Sequence, residues 1–176
     1  MPGAMAIELL LAAEAVMGPG LRSLRAAGGV VAATYQDGRV ATWTPAGCEA
    51  VAEETMLRRA LRWLKADCEG DFAVHEALVA ADAEMFGARG REEVLRFKRG
   101  FLRQGRNYEA SKGGRNRWKS CEVDAILDVD EANRVVVASF ECLIPGREGR
   151  GTDVMQFDEE MRVRGVAAVR HSLVSS

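Results

Sequence analysis

Residues 134–144 read Arg134-Val135-Val136-Val137-Ala138-Ser139-Phe140-Glu141-Cys142-Leu143-Ile144, and this stretch decides the fold. Every even position from Val136 to Ile144 is apolar, whereas the odd positions include Ser139 and Glu141. A period of two in β-branched residues marks a strand with one face toward a core. Upstream, Trp118 to Val129 alternates in the same way, with Cys121, Val123, Ala125, Leu127 and Val129 on one face. Asp130 to Asn133 makes the turn between the two. Downstream, Pro145 to Gly151 reads as a loop. Gly151 to Asp158 and Arg162 to His171 then read as two further strands, joined around Glu159-Glu160. The second half of the chain is thus an antiparallel meander of four strands.

Before Trp118 the period is 3.6. Leu57, Ala60, Leu61 and Leu64 recur at helical spacing in a helix over 49–66, and Trp63 extends their face. Asp71 caps a second helix over 72–81, with Phe72, His75, Leu78 and Val79 on one face. A third helix spans 90–104 and turns Val94, Leu95, Phe97, Phe101 and Leu102 inward. Helices followed by hairpin-linked strands make an α+β fold. A curved antiparallel sheet folded over three helices leaves a cone-shaped space, where small-molecule sites form. The first 48 residues read as an N-terminal appendage to the domain over 49–176. Met5 to Leu24 is helix-prone around Gly18-Pro19-Gly20, and two β-prone runs flank Asp37-Gly38 as a hairpin.

Composition narrows the function classes. The chain has 176 residues, 48% of them hydrophobic, and a net charge of −2. That supports a folded core and argues against a protein built to bind nucleic acid. From Arg89 to Lys119 eleven basic residues stand against three acidic ones, but no aromatic pattern repeats within them, so a solvated helix face and loop are expected. No apolar run is long enough to span a bilayer, and Met5 to Val16 carries Glu8 and Glu14, unlike a secretory signal. Cys48, Cys68, Cys121 and Cys142 are widely spaced and only two histidines exist. Buried thiols in a reducing, cytoplasmic setting are expected, with no metal and no cofactor.

Four stretches resemble the nuclear transport factor 2-like superfamily, in its SnoaL-like and ketosteroid isomerase-like branch. Gly70-Asp71 followed by Leu78-Val79-Ala80-Ala81-Asp82-Ala83 resembles the helix that ends in an acidic, alanine-rich segment. Gly90-Arg91-Glu92-Glu93-Val94-Leu95-Arg96-Phe97 resembles the start of the third helix. Thr152-Asp153-Val154-Met155-Gln156-Phe157-Asp158-Glu159 resembles the "DVMRFDE" strand, and Arg162-Val163 through Arg170 the final strand. The resemblance covers about residues 50–172 and implies the α+β cone.

It also implies a site. Asp153 falls where ketosteroid isomerases keep an oxyanion-hole aspartic acid. On its own strand it is in phase with Met155 and Phe157, so burial should raise its pKa. Other isomerase positions differ: Trp63 stands where the family has an oxyanion-hole tyrosine, Lys98 where it has a supporting tyrosine, and the general-base aspartate is missing near Glu84. Arg170 replaces a pocket aromatic. In the family's register Val166, Ala168 and Arg170 face the cavity, where Arg170 pairs with Asp153 or binds a substrate carboxylate or enolate. In the opposite phase His171 points inward instead. His75 is either a core histidine or a catalytic base.

Two functions compete. One is a small-molecule enzyme or binder with Asp153, Arg170 and His75 as its catalytic candidates. Its pocket would be lined by Trp63, Phe86, Phe97, Phe140, Met155, Val166 and Ala168. The chemistry would be isomerisation, cyclisation, dehydration or hydrolysis of a small hydrophobic molecule. The other is a non-catalytic association domain, a homodimer through the outer sheet face carrying Val135, Val137 and Leu143.

Overall fold

The computed structural model describes residues 3–45, 54–111, 121–142 and 148–171. The first elements are α1 (Gly3–Met17), β1 (Leu21–Ala27), β2 (Val30–Tyr35) and β3 (Val40–Trp43). Then come α2 (Met56–Glu69), α3 (Phe72–Leu78), β4 (Val79–Met85), β5 (Ala88–Arg89) and α4 (Arg91–Ser111). The chain closes with β6 (Cys121–Asp130), β7 (Val135–Cys142), β8 (Gly149–Phe157) and β9 (Val163–Arg170). The strands form one curved sheet in the order β3-β2-β1-β6-β7-β8-β9-β4-β5. Every pairing is antiparallel except β4 with β9.

The β6–β9 meander and the α+β class are as the periodicity requires. In β7 Val136, Ala138, Phe140 and Cys142 are buried, while the odd positions are half-buried. They pack with Val123, Ile126 and Met155 against Leu57, Leu61, Trp63 and Leu64 of α2. β6 departs from simple alternation. Its register against β7 shifts twice, between Val123 and Ala125 and between Ile126 and Asp128. These bulges bend the strand and change its phase, so Ile126 is buried and Leu127, expected inside, is exposed.

Two helices are shorter than the sequence suggested. The N-terminal helix ends at Met17, because Gly18 and Gly20 take positive φ (77° and 82°) and turn the chain. Leu21 to Ala27 is then a strand, with Leu21 and Leu24 buried. The second helix stops at Leu78 instead of Ala81. Val79 to Met85 pairs with β9, and that burial overrides the helix propensity of Ala80 and Ala81. The hairpin at Asp37-Gly38 is present as β2 and β3.

Residues 3–45 make close contacts with the rest. β1 pairs with β6 through Leu24–Ile126, and Ile7, Leu10 and Ala13 of α1 join the core cluster that holds Leu61 and Leu64. Cys68 and Cys142 are buried. Cys48, Leu143, Ile144 and residues 112–120, where the sequence reading expects a polar loop, lie outside the described residues. Among the described residues no helix is long and apolar enough to cross a membrane.

Candidate functional site

The site begins with α2, which is fixed at both ends. The Thr55 side chain accepts from the Arg58 N–H at 3.0 Å, and Gly70, at φ 77°, donates its N–H to the Ala66 carbonyl. The inward face of this helix carries Trp63 and, one turn later, Asp67. Asp71 caps α3 by accepting from the Ala73 N–H at 3.1 Å, and His75 is turned into the interior. On α4, Val94, Lys98 and Leu102 are buried one turn apart.

These helices bring three polar side chains together. Lys98 Nζ donates to both Asp67 oxygens, at 2.8 and 2.9 Å. His75 Nε2 lies 2.9 Å from Asp67 Oδ1. Asp67 is 6% exposed, Lys98 3% and His75 0%. Such a pair offsets its desolvation only with close geometry and satisfied lone pairs, which both oxygens of Asp67 have here. Burial pushes the Asp67 carboxyl up, but Lys98 and His75 outweigh it and hold it below the usual carboxylate range. An ionised Asp67 accepts, so His75 donates through Nε2, and its buried Nδ1 has no hydrogen-bond partner among the described residues. The Trp63 ring closes the network from the core side, 4.5 Å from His75 edge-on and 4.9 Å from Lys98 Nζ.

Asp67 and Lys98 also reach a cavity of about 390 Å³ between α4 and the sheet. Phe86, Phe97 and Phe101 wall its helix side, the rings of Phe86 and Phe97 stacked at 5.1 Å. Phe86 follows β4 at φ 51° and is 49% exposed, an unusual placement for an aromatic. Phe140, Cys142, Val166 and Ala168 wall the sheet side. Phe140 lies over Gly151, where any Cβ would come within 2.8 Å of its ring and 2.6 Å of the Val169 carbonyl. Glycine at 151 is therefore what lets this wall form.

Asp153 and Arg170 are the remaining polar residues of the cavity. Asp153 stands opposite Ala138 on β7 and Ala168 on β9, so small neighbours leave its carboxyl facing the space. Burial raises its pKa, the Asp67 carboxylate raises it further and Lys98 lowers it in part, leaving it at about 7. Arg170 is opposite Gly151, one inward rung from Asp153. Among the described residues no ion pair joins the two, so the pairing weighed from the sequence is not the arrangement present. The charges that set the state of Asp153 come from the helices.

Of the residues singled out in the sequence, Asp153, Arg170, Phe86, Phe97, Phe140, Val166 and Ala168 line this cavity. Trp63 and Met155 are fully buried behind it, and His75 reaches it only through Asp67. His171 is exposed and lies 2.9 Å from the Thr152 hydroxyl. Glu84 is exposed and pairs with Arg89. Asp67, Phe101 and Cys142 line the cavity without being among the residues expected there, and the sequence marks Lys98 only as a departure from a tyrosine. Asp67 was legible in principle: Ala60, Leu64 and Asp67 continue the helical repeat at i, i+4 and i+7, which puts an acid on a buried face. Among the described residues no group of three or more His, Cys, Asp or Glu could hold a metal ion.

No family model matches the chain, and no curated protein matches it. Solved structures do. A steroid delta-isomerase from Pseudomonas aeruginosa is 16% identical, with 69% of this chain and 82% of that one covered and a TM-score of 0.51. A cystatin-like fold protein from Silicibacter pomeroyi is 15% identical, with 68% and 78% covered and a TM-score of 0.49. A SnoaL-like family protein from Agrobacterium tumefaciens is 16% identical, with 66% and 97% covered and a TM-score of 0.43. At such identity likeness speaks to fold alone. The isomerase match and the element order agree on it: the chain has the α+β cone fold that its resemblance to the SnoaL-like, ketosteroid isomerase-like branch of the nuclear transport factor 2-like superfamily implies.

Proposed function

We propose that the chain binds a small hydrophobic molecule in the cone cavity and moves a proton on it, next to a carbonyl or an epoxide, through Asp153. One observation carries this reading: a carboxyl group poised at about 7 faces a cavity walled by phenylalanines. A general acid or base works best when its pKa lies near the operating pH. Protonated, Asp153 donates to a carbonyl or epoxide oxygen. Ionised, it takes a proton from an adjacent carbon. Lys98 has given two of its N–H groups to Asp67, and its fixed charge favours negative charge developing nearby. Isomerisation, cyclisation, dehydration and hydrolysis all fit such a group. His75 supports the site by orienting Asp67, and the separate base of the isomerase family has no counterpart among the described residues.

A neutral fluorescent ketone, dimethylamino-naphthyl ethyl ketone, tests this reading. Its emission should shift to the blue as it enters the cavity, with tighter binding below pH about 7, where Asp153 carries the donated proton. Absence of both ketone binding and any small molecule retained in native mass spectrometry would end the proposal.

A second reading concerns assembly, and a specific surface favours it. On the face away from the cavity, Val137, Val154 and Ala167 stand side by side across three strands, with Val169 beside them and 55% exposed. A partly exposed apolar strip of this kind supports a homodimer through the outer sheet face. Val135 is half-buried on the same side of β7.

A further inference from the structure

We propose that the molecule bound in the cone cavity is an amphipathic carboxylate: a ring-bearing apolar acid with its carboxylate on Arg170 and its body between Phe86, Phe97 and Phe140. This rests on the reading that the cavity takes a small hydrophobic molecule, and it names the class.

The pairing of the arginines on β8, on β9 and just before β9 is the first ground. Arg150 pairs with Asp124, Arg162 with Asp158 and Arg164 with Asp82. Arg170 lines the cavity, and its side chain makes no ion pair or hydrogen bond among the described residues. The rung opposite it is Gly151, which offers no side chain to meet it. Its guanidinium therefore borders open space at the cavity mouth.

The charge balance is the second ground. Asp153 is faced by Asp67 from α2, Lys98 from α4, Cys142 from β7 and Arg170 from β9, with His75 of α3 behind Asp67. Asp67 and Lys98 cancel in their bidentate pair. A protonated Asp153 adds no charge, so Arg170 is left as one uncompensated cation over an aromatic cleft. One guanidinium matches one carboxylate, which it binds through two parallel N–H groups. A doubly charged phosphate would leave excess negative charge beside Asp67.

The arrangement couples binding to protons. A carboxylate entering the cavity disfavours the ionised form of Asp153, so binding takes up a proton. Affinity is then greatest below pH about 7 and falls as pH rises through it.

Fluorescence titration of the full chain with naphthoate and with its neutral isostere naphthamide tests this. Naphthoate is expected to bind roughly ten- to a hundred-fold tighter, the range of a charge-assisted pair. Arg170→Met, at an exposed position that leaves the fold intact, should bind the two probes alike, and Arg170→Lys should retain part of the preference. Asp153→Asn should abolish the pH dependence of naphthoate binding. Equal binding of the two probes by the wild type, or an unchanged preference in Arg170→Met, overturns the assignment to a carboxylate. If naphthamide binds and naphthoate does not, only this inference fails. If neither binds and the neutral ketone also fails to bind, the cavity reading fails with it.

Discussion

Asp67 and Asp153 reach the same cavity and have opposite fates. Burial acts on both in the same direction, toward the protonated form. Asp67 lies between two helices that supply Lys98 and His75, and their attraction wins. Asp153 lies on a strand between alanines, and its neighbours give it no hydrogen bond among the described residues. The distant pull of Lys98 then loses to burial and to the repulsion of Asp67 itself. Depth alone does not decide whether a buried acid is structural or reactive; the partners on the facing element do. The helix side of the cone is closed electrostatically, and the sheet side is left open.

The largest expected effect comes from breaking the closed side. Lys98→Met leaves Asp67 buried and negative with the cation nearest to it removed. Removing one partner of a buried pair costs roughly 3–5 kcal/mol, and urea unfolding at neutral pH should show a loss in that range. A loss under about 1 kcal/mol, the value of an exposed pair, would mean that the network is solvated and the contrast between the two acids false. The same substitution removes the cation that lowers Asp153, whose pKa should move above about 7.

A smaller effect of distinctive sign comes from the open side. The folded pKa of Asp153, about 7, lies above the ordinary value of 3.8 that the unfolded chain restores. The folded state therefore holds more protons between these values. Its contribution to stability is fully present below pH about 3.8 and is lost as pH rises through about 7. Asp153→Asn cannot ionise, so the variant should gain on the wild type with rising pH. At about 1.4 kcal/mol per pKa unit, reduced for a position partly open to solvent, the gain by mildly alkaline pH is on the order of 2 kcal/mol. Parallel pH–stability curves for the two proteins would show that the carboxyl is solvated and unfit for the role given to it. The pairing with Arg170 weighed from the sequence predicts the opposite sign, a loss on substitution, so one measurement separates the two arrangements.

How much of this was legible in the sequence follows from what each signal depends on. The β6–β9 meander was readable because one strongly alternating strand, Val135 to Cys142, has a half-buried face and a core face. The phase of β9 was ambiguous by alternation, since Val163, Ala167 and Val169 are as apolar as Val166 and Ala168. The family's register turned Arg170 toward the cavity, and the pairing Gly151–Arg170 puts it there. Two features were hidden. Val79 to Ala81 looks helical locally, and pairing with β9 and β5 makes Val79 to Met85 a strand. The Asp67–Lys98 pair joins residues 31 apart, and no local pattern reports that two charged positions on separate helices face each other. The bulges in β6 were equally invisible, and they cost the placement of Leu127.

The smallest expected change in stability tests the outer face of the same sheet. Val169 alternates with Ala168 and Arg170, so it points away from the cavity and is 55% exposed. A surface substitution there should alter the stability of the isolated chain by no more than about 0.5 kcal/mol. Val169→Glu should nonetheless act strongly on assembly. In a dimer built on Val137, Val154 and Ala167, the new carboxylate would be buried against apolar side chains. Sedimentation at micromolar concentration should show twice the chain mass for the wild type and the single chain for the variant, with cavity binding of the neutral ketone unchanged. A wild type that already sediments as a single chain would remove the outer face as an interface. It would leave the inner face, with Asp153 and Arg170, as the part of the sheet whose exposed chemistry still calls for a partner.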